Sequence, residues 1–381
     1  MVLWLKPFIM KMKTYLMSRS ERVADLEKRQ SNFELLRIVC MLLIMGLHIT
    51  RQTKMGDYLI GDGVDYYYSI LLGSAGRFVC NTFVMIGAWF LVDTKFRAER
   101  VVNLWMEIFL YAVSITVICI VIGCKDANIT TLIQACFPIF GRPVWFGSEY
   151  ICLLLLTPWL NEMLMEKNQQ KTKQIIKLFG ILIIGCATLF PIEHVTPAFS
   201  ELIWFCFLYL FIGLYKRYQF FKYQWFEKYS LLWFIVGYLF LCGIRVLANY
   251  LNHEGLYRIF IHYYAHYEAL LGFICSLALF FIFKNWNIRP NRFVNLVSRS
   301  TFAVYIIHQT PAFYNYMWNG IFRIDPAVES GNGIVYSLFV IAAIFVVSVC
   351  VDNVRIFVMD RSIYKCKVYR LVCKRLEEFY Q

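Results

Sequence analysis

Charge is scarce in this sequence: Asp, Glu, Lys and Arg together make up 17% of its 381 residues. Long polar stretches are missing too, so no segment of soluble-domain size interrupts the apolar runs. The cysteines form no C-x-x-C pair and no Cys/His cluster, which sets aside a zinc ribbon and a disulfide framework. Most of them, such as Cys40, Cys80, Cys119, Cys152, Cys242, Cys275 and Cys350, lie inside apolar runs and read as small hydrophobic filler. No internal repeat is visible. What is abundant is hydrocarbon: 60% of the residues are hydrophobic and 18% aromatic, with a mean hydropathy of +0.56. A soluble domain is closer to half apolar, so the composition points to one all-α, polytopic membrane domain.

The net charge of +13 invites a nucleic-acid partner, but its distribution opposes one. Lys and Arg sit in short clusters between apolar segments. Ten such segments approach the length needed to cross about 30 Å of hydrocarbon, near 33–50, 69–92, 101–123, 144–163, 175–191, 200–215, 230–250, 264–283, 294–318 and 334–354. With the N-terminus inside, cytoplasmic parts hold 28 Lys and Arg and outer parts six: Arg51, Lys54, Lys125, Arg142, Arg258 and Arg323. That alternation predicts about ten spans with both termini cytoplasmic. The domain reading follows: a basic cytoplasmic arm over 1–31, a transmembrane domain over 32–358 and a basic cytoplasmic tail over 359–381. The opening "MVLWLKPFIMKMKTYLM" is broken by lysines and a proline, and is expected to be an interfacial arm rather than a cleaved signal.

The first span, "NFELLRIVCMLLIMGLHIT", carries Glu34, Arg37 and His48. Eleven residues separate Arg37 from His48, about 1,100° of helix, within roughly 20° of three full turns. Both side chains therefore share one face, about 16 Å apart along the axis. Charged or ionisable groups inside a membrane are functional candidates by default. The plainer alternatives are an Arg37 that snorkels to the inner boundary beside Glu34, and a His48 that sits at the outer interface.

"ELLRIVCMLLIMGLH" resembles the first-helix signature of the membrane-bound acyltransferase-3 family, an arginine, ten residues, then a histidine. The likeness continues in order through "SAGRFVCNTFVMIGAWFL", "VWFGSEYICLLLLTPWLNEML", "WFCFLYLFIGLY" and "STFAVYIIHQ", over roughly residues 32 to 310. Two departures stand out: Ala88 where that family usually has glycine, and Gly87 where serine is common. No appended esterase-like domain is visible, so the chain resembles the minimal form of the family.

The resemblance implies transfer of an acyl group, usually acetyl, from cytoplasmic acyl-CoA to a hydroxyl of a bacterial cell-envelope polysaccharide or its lipid-linked precursor. No permanent cofactor or metal is implied; acetyl-CoA is a donor substrate, and the setting is the plasma membrane. Arg37 would grip a donor phosphate or carbonyl through its planar fork. His48 would be the general base, since imidazole titrates near operating pH; direct transfer and an acyl-histidine both fit. Supporting candidates are Arg77, level with His48 and suited to an oxyanion or an anionic acceptor, and Glu149 with Tyr150, at similar depth. Glu149 is expected to orient His48, neutralise Arg77 or be purely structural. His308, behind Tyr305, is either a satisfied buried histidine or a further site residue. Asn161 reads as structural. His262 and His266 have metal-binding spacing but no third ligand, and fit an interfacial aromatic belt better. Buried Arg, Glu and His also suit a transporter or flippase of a glycan intermediate, although no paired halves or matched interrupted helices support it. A scaffold subunit for envelope assembly is the third reading.

Overall fold

The computed structural model describes residues 29–53, 63–76, 78–189, 201–220, 224–251 and 267–381. Arg77, His194, His253, His262, His266 and the arm before residue 29 lie outside them. All regular structure among the described residues is helical. In chain order the α-helices are α1 Ser31–Gln52, α2 Val64–Ala75, α3 Val79–Leu91, α4 Ala98–Val121, α5 Ile129–Cys136 and α6 Trp145–Met163. Then come α7 Gln169–Phe179, α8 Gly185–Leu189, α9 Glu201–Tyr218, α10 Gln224–Lys228, α11 Ser230–Tyr250 and α12 Leu270–Asn285. The last five are α13 Arg292–Ser298, α14 Thr301–Gln309, α15 Ile324–Glu329, α16 Gly333–Arg361 and α17 Lys367–Phe379.

Each expected apolar segment contains helix, with differences that matter. Among the described residues six stretches are long and apolar enough to cross a bilayer by themselves: Ser31–Gln52, Val64–Leu91, Ala98–Val121, Glu166–Leu189, Ser230–Leu247 and Gly333–Lys365. The count of ten therefore rests on charge alternation, not on helix length. The expected ninth span over 294–318 is not one rod. It is α13, a turn at Arg299–Ser300, α14, and a π-helical stretch Tyr316–Ile321. Polar residues explain the corner: Thr301 Oγ1 donates to the Ser298 carbonyl at 2.8 Å, satisfying a group that the end of α13 leaves open. The expected fifth span is α7 and α8 joined through a π-helical turn, Gly180–Ile184. The basic tail is not a loose tail but the helix α17, packed on the start of α4.

Helix α1 runs through the middle of the bundle and touches α2, α3, α12, α13, α14 and α16. Polar residues within the core tie helices together. On α3, the buried Asn81 donates to the Tyr267 carbonyl at 2.7 Å and to Ser276 at 3.1 Å, and accepts from Trp204 Nε1 at 2.8 Å. One amide thus joins α3 to α9 and α12 with its hydrogen bonds used. At the cytoplasmic side expected from charge, Arg217 donates to the Val92 and Leu164 carbonyls at 2.6 and 3.0 Å, closing the C-terminal ends of α3 and α6. Asp93 beside it pairs with Lys216 at 2.5 Å and Arg217 at 3.2 Å.

The last span is held by a buried ionic group. Arg355 on α16 pairs with Asp352 at 2.7 Å and with Glu107 of α4 at 3.2 Å, while the Tyr111 hydroxyl donates to Asp352 at 2.9 Å. One guanidinium thus serves two carboxylates. Removing it strands both, which costs about 3–5 kcal/mol for a buried pair. We expect Arg355→Ala to lower the denaturation midpoint of the detergent-purified chain strongly. The triple change Arg355→Met, Glu107→Gln, Asp352→Asn should lower it much less, because no charge is then left alone.

Candidate active site

Helix α1 supplies a polar group at each of two depths, and α13–α14 meets both. At the N-terminal end of α1, expected from charge to be the inner one, Glu34, almost fully buried, pairs with Arg37 at 2.6 Å and Arg29 at 3.3 Å, and accepts a short hydrogen bond from the Ser298 hydroxyl. Ser31 Oγ donates to Asn295 at 2.8 Å one turn below. The i,i+3 spacing of Glu34 and Arg37 makes their contact local, as the plainer alternative held. Arg37 nevertheless does more than snorkel, because its side chain also borders a cavity and lies 5.8 Å from the Phe90 ring centre.

That cavity has a volume of about 230 Å³. Its polar mouth is made by Arg29, Glu34, Arg37, Ser298, Arg299 and Thr301; its far wall is Phe83, Leu104, Phe146, Tyr150 and Phe302. Three guanidiniums against one carboxylate leave the mouth positive, a setting for an anion. Arg29, Ser298 and Arg299 were not among the residues expected from sequence. They sit at helix ends, where arginine is ordinary, so no local signal marks them. Tyr150 was expected, and it lies where Gly87 of α3 leaves room for it. A Cβ at Gly87 would collide with the Tyr150 hydroxyl. The departure from serine at position 87 thus has a physical reason.

At the C-terminal end of α1, expected from charge to be the outer one, His48, half-buried, faces fully buried His308 of α14, with Nδ1 and Nε2 2.9 Å apart. His308 Nδ1 is 2.6 Å from the Val304 carbonyl oxygen, which only accepts, so the proton is on Nδ1. In the neutral ring Nε2 is then the acceptor, and His48 Nδ1 must donate to it. His48 Nε2 is left with an open lone pair. The chain Val304 carbonyl, His308, His48 fixes both tautomers in the manner of a base held by an orienting partner. Between the cavity and this pair stand three rings: Tyr305 lies 6.0 Å from Phe146, 6.0 Å from Phe302 and 6.1 Å from His308. On the other side Trp318 is 6.5 Å from His308 and donates to Gln52 at 2.6 Å, holding the outer end of α1.

Glu149 and Asn161 have partners of their own. Glu149 pairs with Arg142 at 3.1 Å, and Arg142 also reaches Glu201 at 3.6 Å, so its ion pair lies away from His48. Asn161 accepts from Tyr209 at 2.9 Å and is structural. Arg77 falls outside the described residues.

Residues 30–352 match the family model described as an acyltransferase domain, Acyl_transf_3. The chain belongs to the acyltransferase-3 family. No curated protein and no solved structure matches it. The match covers most of the chain, including both ends of the α1–α14 contact, and supports an acyltransferase built from membrane helices.

The Gly87–Tyr150 contact is testable without an activity assay. Gly87→Ser should push the phenol into the cavity and cost about 1–3 kcal/mol, the usual range for overpacking, read as a lower thermal midpoint in detergent. Adding Tyr150→Leu, which removes the colliding ring, should restore part of that loss. An unchanged midpoint in Gly87→Ser would show that the ring moves aside freely.

Proposed function

We propose that this chain transfers an acetyl group from cytoplasmic acetyl-CoA to a hydroxyl of a bacterial cell-envelope polysaccharide or its lipid-linked precursor. The setting is the plasma membrane, with both termini cytoplasmic. The observation that carries the reading is the His48–His308–Val304 relay, lying outward of a cavity whose mouth is lined by arginines. Neutral imidazole with one nitrogen tied and the other open is what base catalysis at a hydroxyl requires.

The positive mouth suits the donor's phosphates, with Arg37 and its neighbours holding them through charge-assisted hydrogen bonds. The cavity is smaller than the roughly 300–1,000 Å³ that encloses a drug-sized ligand. It therefore suits the slender thioester arm, with the nucleotide left at the cytoplasmic mouth. From Arg37 to His48 is about 16 Å along the helix, comparable to that arm extended. The Phe146, Phe302 and Tyr305 rings would line its upper part.

His48 Nε2 takes the proton from the acceptor hydroxyl as the oxygen attacks the thioester carbonyl. Negative charge moves to the carbonyl oxygen. When the tetrahedral adduct collapses, the C–S bond breaks and an ester C–O bond remains. The imidazolium returns its proton to the departing thiolate, giving free CoA thiol. While His48 is charged, its Nδ1–H donates to neutral His308, and that bond is strengthened by the charge.

The test is release of CoA thiol from acetyl-CoA by purified protein, with and without membrane glycan extract. His48→Ala is expected to lose about 10²–10⁴-fold in rate, the usual worth of a general base. His308→Gln should lose less and shift the pH profile, since it changes only the orientation of the base. Arg37→Ala should raise the acetyl-CoA concentration needed, mainly through KM. A His48→Ala protein as active as wild type would sink the mechanism.

A further inference from the structure

The last helix, α17, reads "KVYRLVCKRLEEF" and lies beyond the residues matched to the family. At 100° per residue its side chains fall into three sectors of about 120° each. The first holds Tyr369, Cys373, Leu376 and, continuing the turn, Tyr380. It faces protein: Tyr369 donates to Asn103 of α4 at 2.7 Å, Cys373 is buried, and Tyr380 donates to the Leu155 carbonyl of α6 at 2.7 Å. Tyr380 also packs on Phe96, with ring centres 4.2 Å apart. The second sector holds Val368, Leu371, Val372 and Phe379, all exposed, with Val368 and Phe379 at 66% and 72%. The third is charged: Lys367, Arg370, Lys374, Glu377 and Glu378.

A surface helix with an apolar stripe open to its surroundings needs an explanation, and the position of α17 supplies one. It follows α16, long and apolar enough to cross a bilayer, after five residues; it packs on the first half of α4 and, through Tyr380, on Leu155 and Trp159 in the C-terminal half of α6. The helix therefore lies at the boundary between hydrocarbon and water. There, an apolar stripe seats in the acyl chains while basic residues beside it meet headgroups. Arg375 falls within the apolar sector, between Leu371 and Val368; it pairs with Glu378 at 3.3 Å and has the length to carry its charge out of that face. Lys365 and Arg361 extend the basic row.

We propose that α17 is an interfacial docking helix that selects anionic lipid: its Val368–Leu371–Val372–Phe379 face seats in the bilayer, and its Lys367–Arg370–Lys374 row binds lipid phosphates. Charge complementarity commits the partner to an anionic phospholipid, since each Lys or Arg near such a surface contributes about 1 kcal/mol. The inference does not rest on acyl transfer, and its test needs no activity.

The whole chain is reconstituted in vesicles of phosphatidylcholine and phosphatidylglycerol in equal parts, with a fluorescent amino acid replacing Val368. Bromine quencher is placed on one lipid or on the other. A second site, Val347 on the exposed face of α16, calibrates quenching at bulk lipid. At 368 we expect brominated phosphatidylglycerol to quench at least about threefold more than brominated phosphatidylcholine. The preference should fall at molar salt, which screens the headgroup contacts, and in the Lys367→Gln, Arg370→Gln, Lys374→Gln variant. Equal quenching by both lipids would overturn the selectivity. Quenching at 347 with none at 368 would show that protein, not lipid, covers this face, and would overturn the proposal altogether. The salt titration uses the wild-type surface, so it decides the question even if the triple variant folds poorly.

Discussion

A polar group in hydrocarbon must find its partner inside the protein, and α1 carries three such groups. Glu34 and Arg37 meet Ser298 and Thr301 at the inner corner of α13–α14, and His48 meets His308 at the outer end of α14. Along α1 these contacts are about three to four helical turns apart. Sliding α1 by one turn, about 5.4 Å, would break both at once and leave buried polar groups unsatisfied. Apolar packing alone tolerates such slides, because lipid-facing and core leucines are nearly equivalent. The two polar contacts therefore set the register of the bundle, and the same register sets the site.

The corner at Arg299–Ser300 follows from that constraint. A straight helix over 294–318 would carry Ser298 and His308 along one line at 1.5 Å per residue, locking inner and outer contacts to one rigid spacing. Splitting it lets α13 seat against Ser31 and Glu34 while α14 independently aims His308 at His48. The split exposes helix-end carbonyls and amides, and the Thr301 hydroxyl satisfies one of them, the Ser298 carbonyl. Arg217 does the same for the ends of α3 and α6. Helix ends at membrane depth are permitted here because they border protein and a polar cavity rather than lipid.

What the sequence made legible follows the range of the signal. The shared face of Arg37 and His48 is a matter of helical periodicity over eleven residues, and both residues do face α13–α14. The partner of His48 is 260 residues away, and periodicity says nothing about which helix comes alongside. His308 could be named as a candidate but not paired. Glu149 shows what depth leaves open, since orienting His48, neutralising Arg77 and a structural role all fitted it. Depth alone put it level with His48, whereas its charge is met by Arg142, seven residues earlier in a connecting segment. The short outer helix α5, capped by Asn128 and Thr131, was missed because eight residues give too little period to read. The basic tail was seen as charge. Its apolar stripe at 368, 372 and 379 has helical spacing, but the clustered lysines and arginines hid it.

The three rings between the arginine mouth and the histidine pair connect the packing to the proposed chemistry. A thioester is exposed to hydrolysis wherever water can reach both it and an activated base. Phe146, Phe302 and Tyr305 set three aromatic rings between the two ends of the site. Water entering from the cationic mouth meets these rings before it meets His48, while on the proposed reading the slender thioester arm passes along them. Opening the site from the other side is the acceptor's task, where His48 is only half-buried and its Nε2 has no hydrogen bond among the described residues. On the proposed reading, donor and acceptor approach one base from opposite faces of the membrane, and the rings keep bulk water out of the donor's half. This arrangement explains why the base sits at the outer end of α1 and the cations at the inner end. If both were placed at one depth, either the anionic donor would have to be dragged through hydrocarbon or the acceptor would.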